Sequence, residues 1–231
     1  MVLSQFAESL PQHRYNRYFF LTDLQSAYQN VDGKKLAEVL CGLDPRLSAE
    51  REEVYGFLTQ FCLDPKGGLV VGAPASPDLF NIYAGKLLDE PLAALCEQYG
   101  LTYSRYLDDL AFSSRTESIG EKKRKKLRAV IRTAGFSISD HKTHVMDLAK
   151  GPIIITGVGV ELGGRIFLPR HYLRMIRGLI HRAMHVGDVC EHRIHGMMGV
   201  FRSSSHKHNL NRTEIKLLFA YRLYQRFLRG R

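Results

Sequence analysis

Asp108 and Asp109 stand side by side between two apolar runs, Tyr103-Ser104-Arg105-Tyr106-Leu107 and Leu110-Ala111-Phe112. The pattern predicts a strand, a tight turn and a returning strand. Two ionised carboxylates in such a hairpin repel each other and are poorly solvated, and a bound cation relieves both problems. A surface turn is the plain alternative, because Asp is common in turns. The flanking Tyr, Leu and Phe weigh against it. Another carboxylate, Asp23, ends the aromatic run Arg17-Tyr18-Phe19-Phe20-Leu21-Thr22, which reads as a buried strand. If the two strands are neighbours in one antiparallel sheet, the three carboxylates meet. Such a set suits two divalent ions about 3.5–4 Å apart. Magnesium keeps several waters and takes one or two carboxylates plus substrate phosphates, so three Asp suffice.

Other elements must hold these groups in place. A short helix is expected over residues 2–10, and another from Asp32 to Leu40 with Asp32 as its N-cap. Ser48 is expected to cap a helix running to Cys62. The glycine- and proline-rich loop Gly67 to Pro77 leads into a helix with Ser76 at the N-cap and Pro77 at its first position. That helix is expected to kink or restart at Pro91 and to end at Gly100. Residues 117–134 form a further helix, with Ile119, Leu127, Val130 and Ile131 inward. Its Lys122-Lys123-Arg124-Lys125-Lys126 run reads as a solvated face or a phosphate contact. Phe136-Ser137-Ile138 reads as a short strand. Ile153 to Val160 and Arg165 to Leu168 read as a hairpin turning at Gly163-Gly164.

The chain of 231 residues is 45% hydrophobic, enough for a buried core. Its net charge of +10 is unevenly spread. Residues 1–169 hold 20 basic and 20 acidic side chains, whereas residues 170–231 hold 13 basic and 3 acidic ones. A neutral body with a basic C-terminal module points to a polyanion, most simply nucleic acid. Within that module Leu173, Ile176, Ile180 and Met184 share one helical face, with Arg170, Arg174 and Arg177 on another. Thr213 to Leu228 repeats the scheme, with Leu217, Tyr221, Tyr224 and Leu228 against Arg222, Arg226 and Arg229. One-turn spacing of arginines suits a row of phosphates. His181, His185, Cys190, His192 and His195 offer a loose zinc-like spacing that the basic surroundings disfavour. No apolar run is long enough for a membrane span and no signal peptide is evident. The scattered cysteines (Cys41, Cys62, Cys96 and Cys190) read as reduced thiols in a cytoplasmic protein.

Taken together, the segments resemble the reverse transcriptases, most of all the bacterial retron and group II intron branch. Leu21-Thr22-Asp23-Leu24-Gln25-Ser26-Ala27-Tyr28 resembles their first palm motif, and Gly72-Ala73-Pro74-Ala75-Ser76-Pro77 with Asn81 the second. Tyr106-Leu107-Asp108-Asp109 resembles the catalytic box. Ala134-Gly135-Phe136-Ser137-Ile138 leading to Lys142-Thr143 resembles the fourth motif, and Thr156-Gly157-Val158-Gly159-Val160 the start of the primer-grip hairpin. The resemblance implies an α+β polymerase palm: an antiparallel sheet backed by helices, with a ferredoxin-like core, followed by a helical thumb. Residues 1–168 would form the palm, with fingers reduced or absent, and residues 169–231 the thumb. It implies RNA-directed DNA polymerase activity with two Mg2+ ions, Mn2+ being a possible substitute. Asp23 and Asp108 would be the main metal ligands, with Asp109 weaker and Leu24 offering its carbonyl. Tyr28 would clash with a 2′-hydroxyl and so select deoxynucleotides. Ala73, Ser76 and Asn81 would lie along the template and nascent pair, and Lys142 would reach the triphosphate and protonate the leaving pyrophosphate. The implied partners are an RNA template, a DNA or RNA primer and deoxynucleoside triphosphates.

Two features depart from the family. Val71 stands where Gln usually precedes the Gly-Ala-Pro loop. Asp23 also comes far earlier than the family's first palm motif, which follows a long fingers region. A minimal enzyme, one part of a split enzyme whose fingers come from a protein or RNA partner, and a non-catalytic RNA-binding relative are all compatible with this. An RNA-dependent RNA polymerase shares the palm, but Tyr28 and the Gly-Ala-Pro loop disfavour it.

Overall fold

The computed structural model describes residues 12–47, 49–187, 191–204 and 210–230. The expected helix over residues 2–10, the Ser48 cap and Cys190 lie outside the described residues. The chain divides into two compact units, Tyr18–Val145 and Met1–Arg17 with Met146–Arg231.

The first unit holds β1 (Tyr18–Asp23), β2 (Thr102–Tyr106) and β3 (Asp109–Ser114), and β4 (His144–Asp147) starts at its last two residues; the strand order of the sheet is β2-β3-β1-β4. β3 is central and antiparallel to both β1 and β2. Helices lie between β1 and β2 and between β3 and β4. This is the split β-α-β arrangement of a ferredoxin-like core.

Alternation along the strands sorts the two faces of the sheet. Phe20 lies opposite Phe112, and Phe112 opposite Tyr103, so three aromatic rings form a row across three strands. Their centroids are 5.6 and 5.0 Å apart, in stacked pairs. Phe20, Leu110 and Phe112 join one core with Leu36, Phe80, Leu92, Leu127 and Ile131 from four helices. These helices are α1 (Gly33–Leu43), α3 (Ser76–Ala84), α4 (Glu90–Gln98) and α5 (Glu121–Thr133). Asp23 and Asp109 alternate onto the opposite face. A register slip of one residue would turn them into the core.

Several boundaries differ from expectation. Asp32 does cap α1, accepting from the amides of Lys34 and Lys35. The following helix, α2 (Arg51–Phe61), starts later than Ser48 and has no side-chain cap. Ala75, not Ser76, is the N-cap of α3. The Ser76 hydroxyl donates instead to the Val70 carbonyl at 2.6 Å, so it is used in closing the loop. Between α3 and α4 the chain makes a π-helical turn over Gly85–Asp89. Pro91, in the first turn of α4, explains it: the ring has no N–H and clashes with the carbonyl four residues back, so the chain takes up an extra residue there. Phe136 to Ile138 is not a strand. It forms only an isolated bridge, from Ile138 to Leu24.

The second unit holds the antiparallel strands β5 (Ile153–Ile155), β6 (Val158–Val160) and β7 (Ile166–Phe167). The single strand expected over 153–160 is broken by a two-residue turn, with φ of 45° at Thr156 and 89° at Gly157. Positive φ at both central residues matches the right-handed twist of the strands it joins. Three helices follow: α6 (Arg170–His185), α7 (Glu191–Ser204) and α8 (Arg212–Arg229). They bury Leu173, Ile176 and Ile180, then Ile194, Met198 and Phe201, then Leu217, Tyr221 and Tyr224. Glu214 is 1% exposed and accepts from Arg165 at 2.8 Å. It also closes a capping box with Asn211 at the start of α8. No described helix is long and apolar enough to cross a membrane.

Candidate active site

Asp23 ends β1 and Asp109 opens β3, and the antiparallel register sets them directly opposite each other. Leu107 and Asp108 form the two-residue turn between β2 and β3. Leu107 adopts φ of 50°, a conformation that non-glycine residues rarely take and that costs about 1–3 kcal/mol. The Asp108 carbonyl is tied to the next segment by the Leu24 amide at 2.8 Å. Leu24, immediately after Asp23, is buried and bridges to Ile138.

A second strip of backbone closes against β1. The Ser139 amide donates to the Asp23 carbonyl and the Gln25 amide to the Ser137 carbonyl, at 2.9 and 2.8 Å. The hydroxyls of Thr22 and Thr143 meet at 2.7 Å. These contacts carry Lys142 to the sheet, and its ammonium group is paired with the Asp23 carboxylate. Asp23, Asp109, Asp108 and Lys142, spread over 120 residues of sequence, thus come together.

The carboxylates are crowded. Burial, followed by the hydrogen bond to Asp23 and its charge, pushes the Asp109 carboxyl up to about 7. The bond to Asp23 also raises Lys142. Burial and then the Asp108 charge raise the Tyr28 hydroxyl, so the Tyr28 ring lies within electrostatic reach of the turn. That ring packs on Phe80 with centroids 5.2 Å apart. Gly68 sets the backbone behind Tyr28: it has φ of 78°, and a Cβ there would lie 2.4 Å from the Gln29 carbonyl oxygen. This close approach lets the Leu69 amide donate to the Tyr28 carbonyl at 2.8 Å.

The donor set fits a hard divalent cation in kind, since its groups are crowded carboxyl oxygens. It is not a ready-made cage. Among the described residues, no three His, Cys, Asp or Glu side chains converge on a single metal position. Lys142 instead supplies the positive charge beside Asp23.

The remaining expected residues fall in two places. Ala73 is half-buried in the loop before α3, and Ser76 is fully buried. Asn81 is exposed on α3, and its side-chain oxygen accepts from Arg105 Nη1 at 2.9 Å. Arg170, Arg174 and Arg177 are exposed on α6, as are Arg222, Arg226 and Arg229 on α8. They belong to the second unit. His181 and His185 pack ring to ring at 4.4 Å, and His195 bonds the Tyr221 hydroxyl at 2.6 Å.

Sequence reading missed Arg105. Alternation puts it on the core face of the sheet, opposite Leu110. A charge at an inward position needs a buried partner, and that was the available signal.

A ferredoxin-like sheet with carboxylates at a strand end and in a hairpin turn has the form of a palm domain. The chain matches the family described as reverse transcriptase (RNA-dependent DNA polymerase) over residues 2–160. It therefore belongs to the reverse transcriptase family, in its retron-like branch. It is 32% identical over 163 residues to the retron Mx65 reverse transcriptase of Myxococcus xanthus, covering 71% of this chain and 37% of that protein. It is 28% identical over 177 residues to the retron Ec83 reverse transcriptase of Escherichia coli, covering 73% and 55% respectively. Among solved structures, Candida tropicalis telomerase in complex with the TWJ fragment of telomeric RNA shares the fold. That match has a TM-score of 0.53 and 10% identity, covering 86% of this chain and 41% of the telomerase. Apo telomerase of Candida tropicalis, truncated from its C-terminal domain, aligns with a TM-score of 0.50 and 15% identity, over 72% and 39%. The chain thus spans about half or less of the length of these relatives.

Proposed function

We propose that this chain carries the catalytic palm and the thumb of an RNA-directed DNA polymerase acting by two-metal nucleotidyl transfer. The observation that supports this most is the register setting Asp23 opposite Asp109, with Asp108 on the adjoining turn. Two Mg2+ ions, or Mn2+ in their place, would be held by Asp23 and Asp108, with Asp109 as the weaker ligand and the Leu24 carbonyl beside them. When bound, such ions stabilise the attacking and leaving oxygens of an in-line displacement. The primer 3′-hydroxyl gives its proton to water, and its oxygen bonds to the α-phosphate of a deoxynucleoside triphosphate as the bond from that phosphate to pyrophosphate breaks. Lys142 leaves Asp23 to protonate the departing pyrophosphate. Tyr28 blocks a 2′-hydroxyl at the sugar. Ala73 and Ser76 shape the loop along the template, and Asn81 faces the nascent pair. Arg170, Arg174, Arg177, Arg222, Arg226 and Arg229 hold the phosphates of the RNA template and of a DNA or RNA primer. We place the start of the thumb at residue 169 and the protein in the cytoplasm, where Cys41, Cys62 and Cys96 stay free thiols.

Primer extension on an annealed RNA template tests this reading. The wild type is expected to extend with deoxynucleotides and Mg2+, and Asp108→Ala to lose extension while keeping RNA. Extension with ribonucleotides only would move the chain to RNA-dependent RNA synthesis.

The exposed arginines of α6 and α8 favour one further reading: a non-catalytic or split RNA-binding subunit. It predicts salt-dependent RNA binding that Asp108→Ala leaves unchanged, with no extension by the wild type alone.

A further inference from the structure

We propose that Arg105 is a positioning residue that locks the catalytic turn and Asn81 into one unit through a single buried guanidinium. This rests on the proposed polymerase reading for its purpose, but its geometry stands apart from it. The Arg105 side chain is 8% exposed. Nε donates to Asp89 Oδ1 at 2.8 Å and Nη2 to Asp89 Oδ2 at 2.7 Å, a bidentate pair. Nη1 donates to Asn81 Oδ1 at 2.9 Å and to the Leu107 carbonyl at 3.0 Å. The Tyr103 hydroxyl donates to Asp89 Oδ1 at 2.7 Å. The guanidinium carbon lies 5.4 Å from the centre of the Phe80 ring.

Three consequences follow. The Leu107 carbonyl belongs to the residue in the strained conformation, and its peptide plane leads directly into Asp108. Holding that carbonyl holds the plane from which the Asp108 side chain springs. A guanidinium has only donors, so Asn81 must turn its oxygen inward and present its NH2 group to solvent. Asn81 is thereby preset as a donor to whatever lies over α3. Finally, the π-helical turn over Gly85–Asp89 makes the arrangement possible. Each α-helical residue advances by about 100°, and the extra residue taken up makes positions eight apart align as positions seven apart do. Asn81 and Asp89 then face the same guanidinium. Lysine cannot replace this: one ammonium lacks the planar fork that meets a carboxylate in bidentate fashion while reaching two further acceptors.

The test is Mn2+ binding, read from the electron paramagnetic resonance signal of the free ion, on wild type, Arg105→Lys, Asp89→Asn and Asn81→Ala. Circular dichroism and thermal unfolding serve to confirm folding. Arg105→Lys and Asp89→Asn are expected to weaken Mn2+ binding about 10–100-fold in folded protein, the size seen when a partner behind a metal ligand is lost. Combined, they are expected to weaken it little more than either alone. Asn81→Ala is expected to leave Mn2+ binding within about twofold while raising KM for the deoxynucleotide more than it lowers kcat. If Arg105→Lys does not fold, Asp89→Asn carries the test, since it keeps the volume and hydrogen-bonding capacity of the site. Folded variants with wild-type Mn2+ affinity overturn the inference, as does a wild type that binds no Mn2+. A wild type that binds Mn2+ through Asp108 yet never extends a primer overturns the polymerase reading alone, and the Mn2+ comparison still decides the role of Arg105.

Discussion

Arginine does opposite work in the two units of this protein. In the sheet unit, Arg105 is buried and makes four short, directional bonds to Asp89, Asn81 and the Leu107 carbonyl. In the helical unit, Arg170, Arg174, Arg177, Arg222, Arg226 and Arg229 are exposed and make no salt bridge among the described residues. The first kind of arginine acts through geometry, which a shift of an ångström destroys. The second acts through charge, which is additive, tolerant of position and screened by salt. The proposed polymerase reading needs both, because its metal ligands must be placed accurately while the phosphates of a moving strand must slide.

The sharpest way to break this contrast is at the carboxylates. Asp108→Ala is expected to reduce primer extension on the order of 1,000-fold or more, as loss of several kcal/mol of transition-state stabilisation requires. RNA affinity is expected to stay within about twofold, measured by filter binding. A parallel loss of RNA binding would mean that the two functions are not separated between the units. Next comes the row of stacked rings beneath the site. Phe112 is fully buried between Phe20 and Tyr103. Phe112→Ala is expected to destabilise the sheet unit by about 3–5 kcal/mol, read by urea unfolding.

The arginines on α6 call for a graded outcome. Arg174→Ala and Arg177→Ala should each lower the slope of log affinity against log salt by about 0.7–0.9, and equally for RNAs of different sequence. A strong effect on one RNA sequence only would mean that these side chains read bases and do not behave as loose charges. The smallest expected effect lies at the Arg17–Asp147 pair, where the Arg17 hydrogen bond lowers Asp147 from its ordinary 3.8 to about 2. A depressed carboxyl stabilises the fold fully above its unfolded value and loses that contribution as pH falls through the folded one. Acid titration followed by circular dichroism should therefore show a slight extra loss between about pH 4 and 2. Asp147→Asn should remove it.

Some of this protein was legible in one dimension. Strand alternation and the spacing of motifs singled out Asp23, Asp108 and Asp109, and the antiparallel sheet sets Asp23 opposite Asp109 with Asp108 on the adjoining turn. Local rules also placed the Asp32 cap, the Gly163-Gly164 turn and the apolar faces of the basic helices. All depend on neighbours within a turn or a strand, where sequence distance and spatial distance agree. Other features depended on the folded whole. Ser76 looked like a helix cap because its hydroxyl and the following proline have that chemistry, yet the helix begins one residue earlier than that, with Ala75 at the cap, and the Ser76 hydroxyl donates to the Val70 carbonyl. The strand over 153–160 broke at Thr156-Gly157, where positive φ at a threonine overrode its β propensity.

Arg105 marks the boundary between the two kinds of information. Its inward position on β2 could be read from alternation, and with it the need for a buried counter-ion. Which acid would serve was decided by a π-helical turn that rotates Asp89 into reach. Whether Lys142 would meet Asp23, 119 positions away in sequence, was decided by the fold of the chain between them. The sequence alone determined which side chains stand at the strand ends and on the helix faces, because side-chain type and local periodicity are written residue by residue. Tertiary structure alone decided which groups stand within bonding distance, because that distance is set by how helices and strands pack once their local preferences are satisfied.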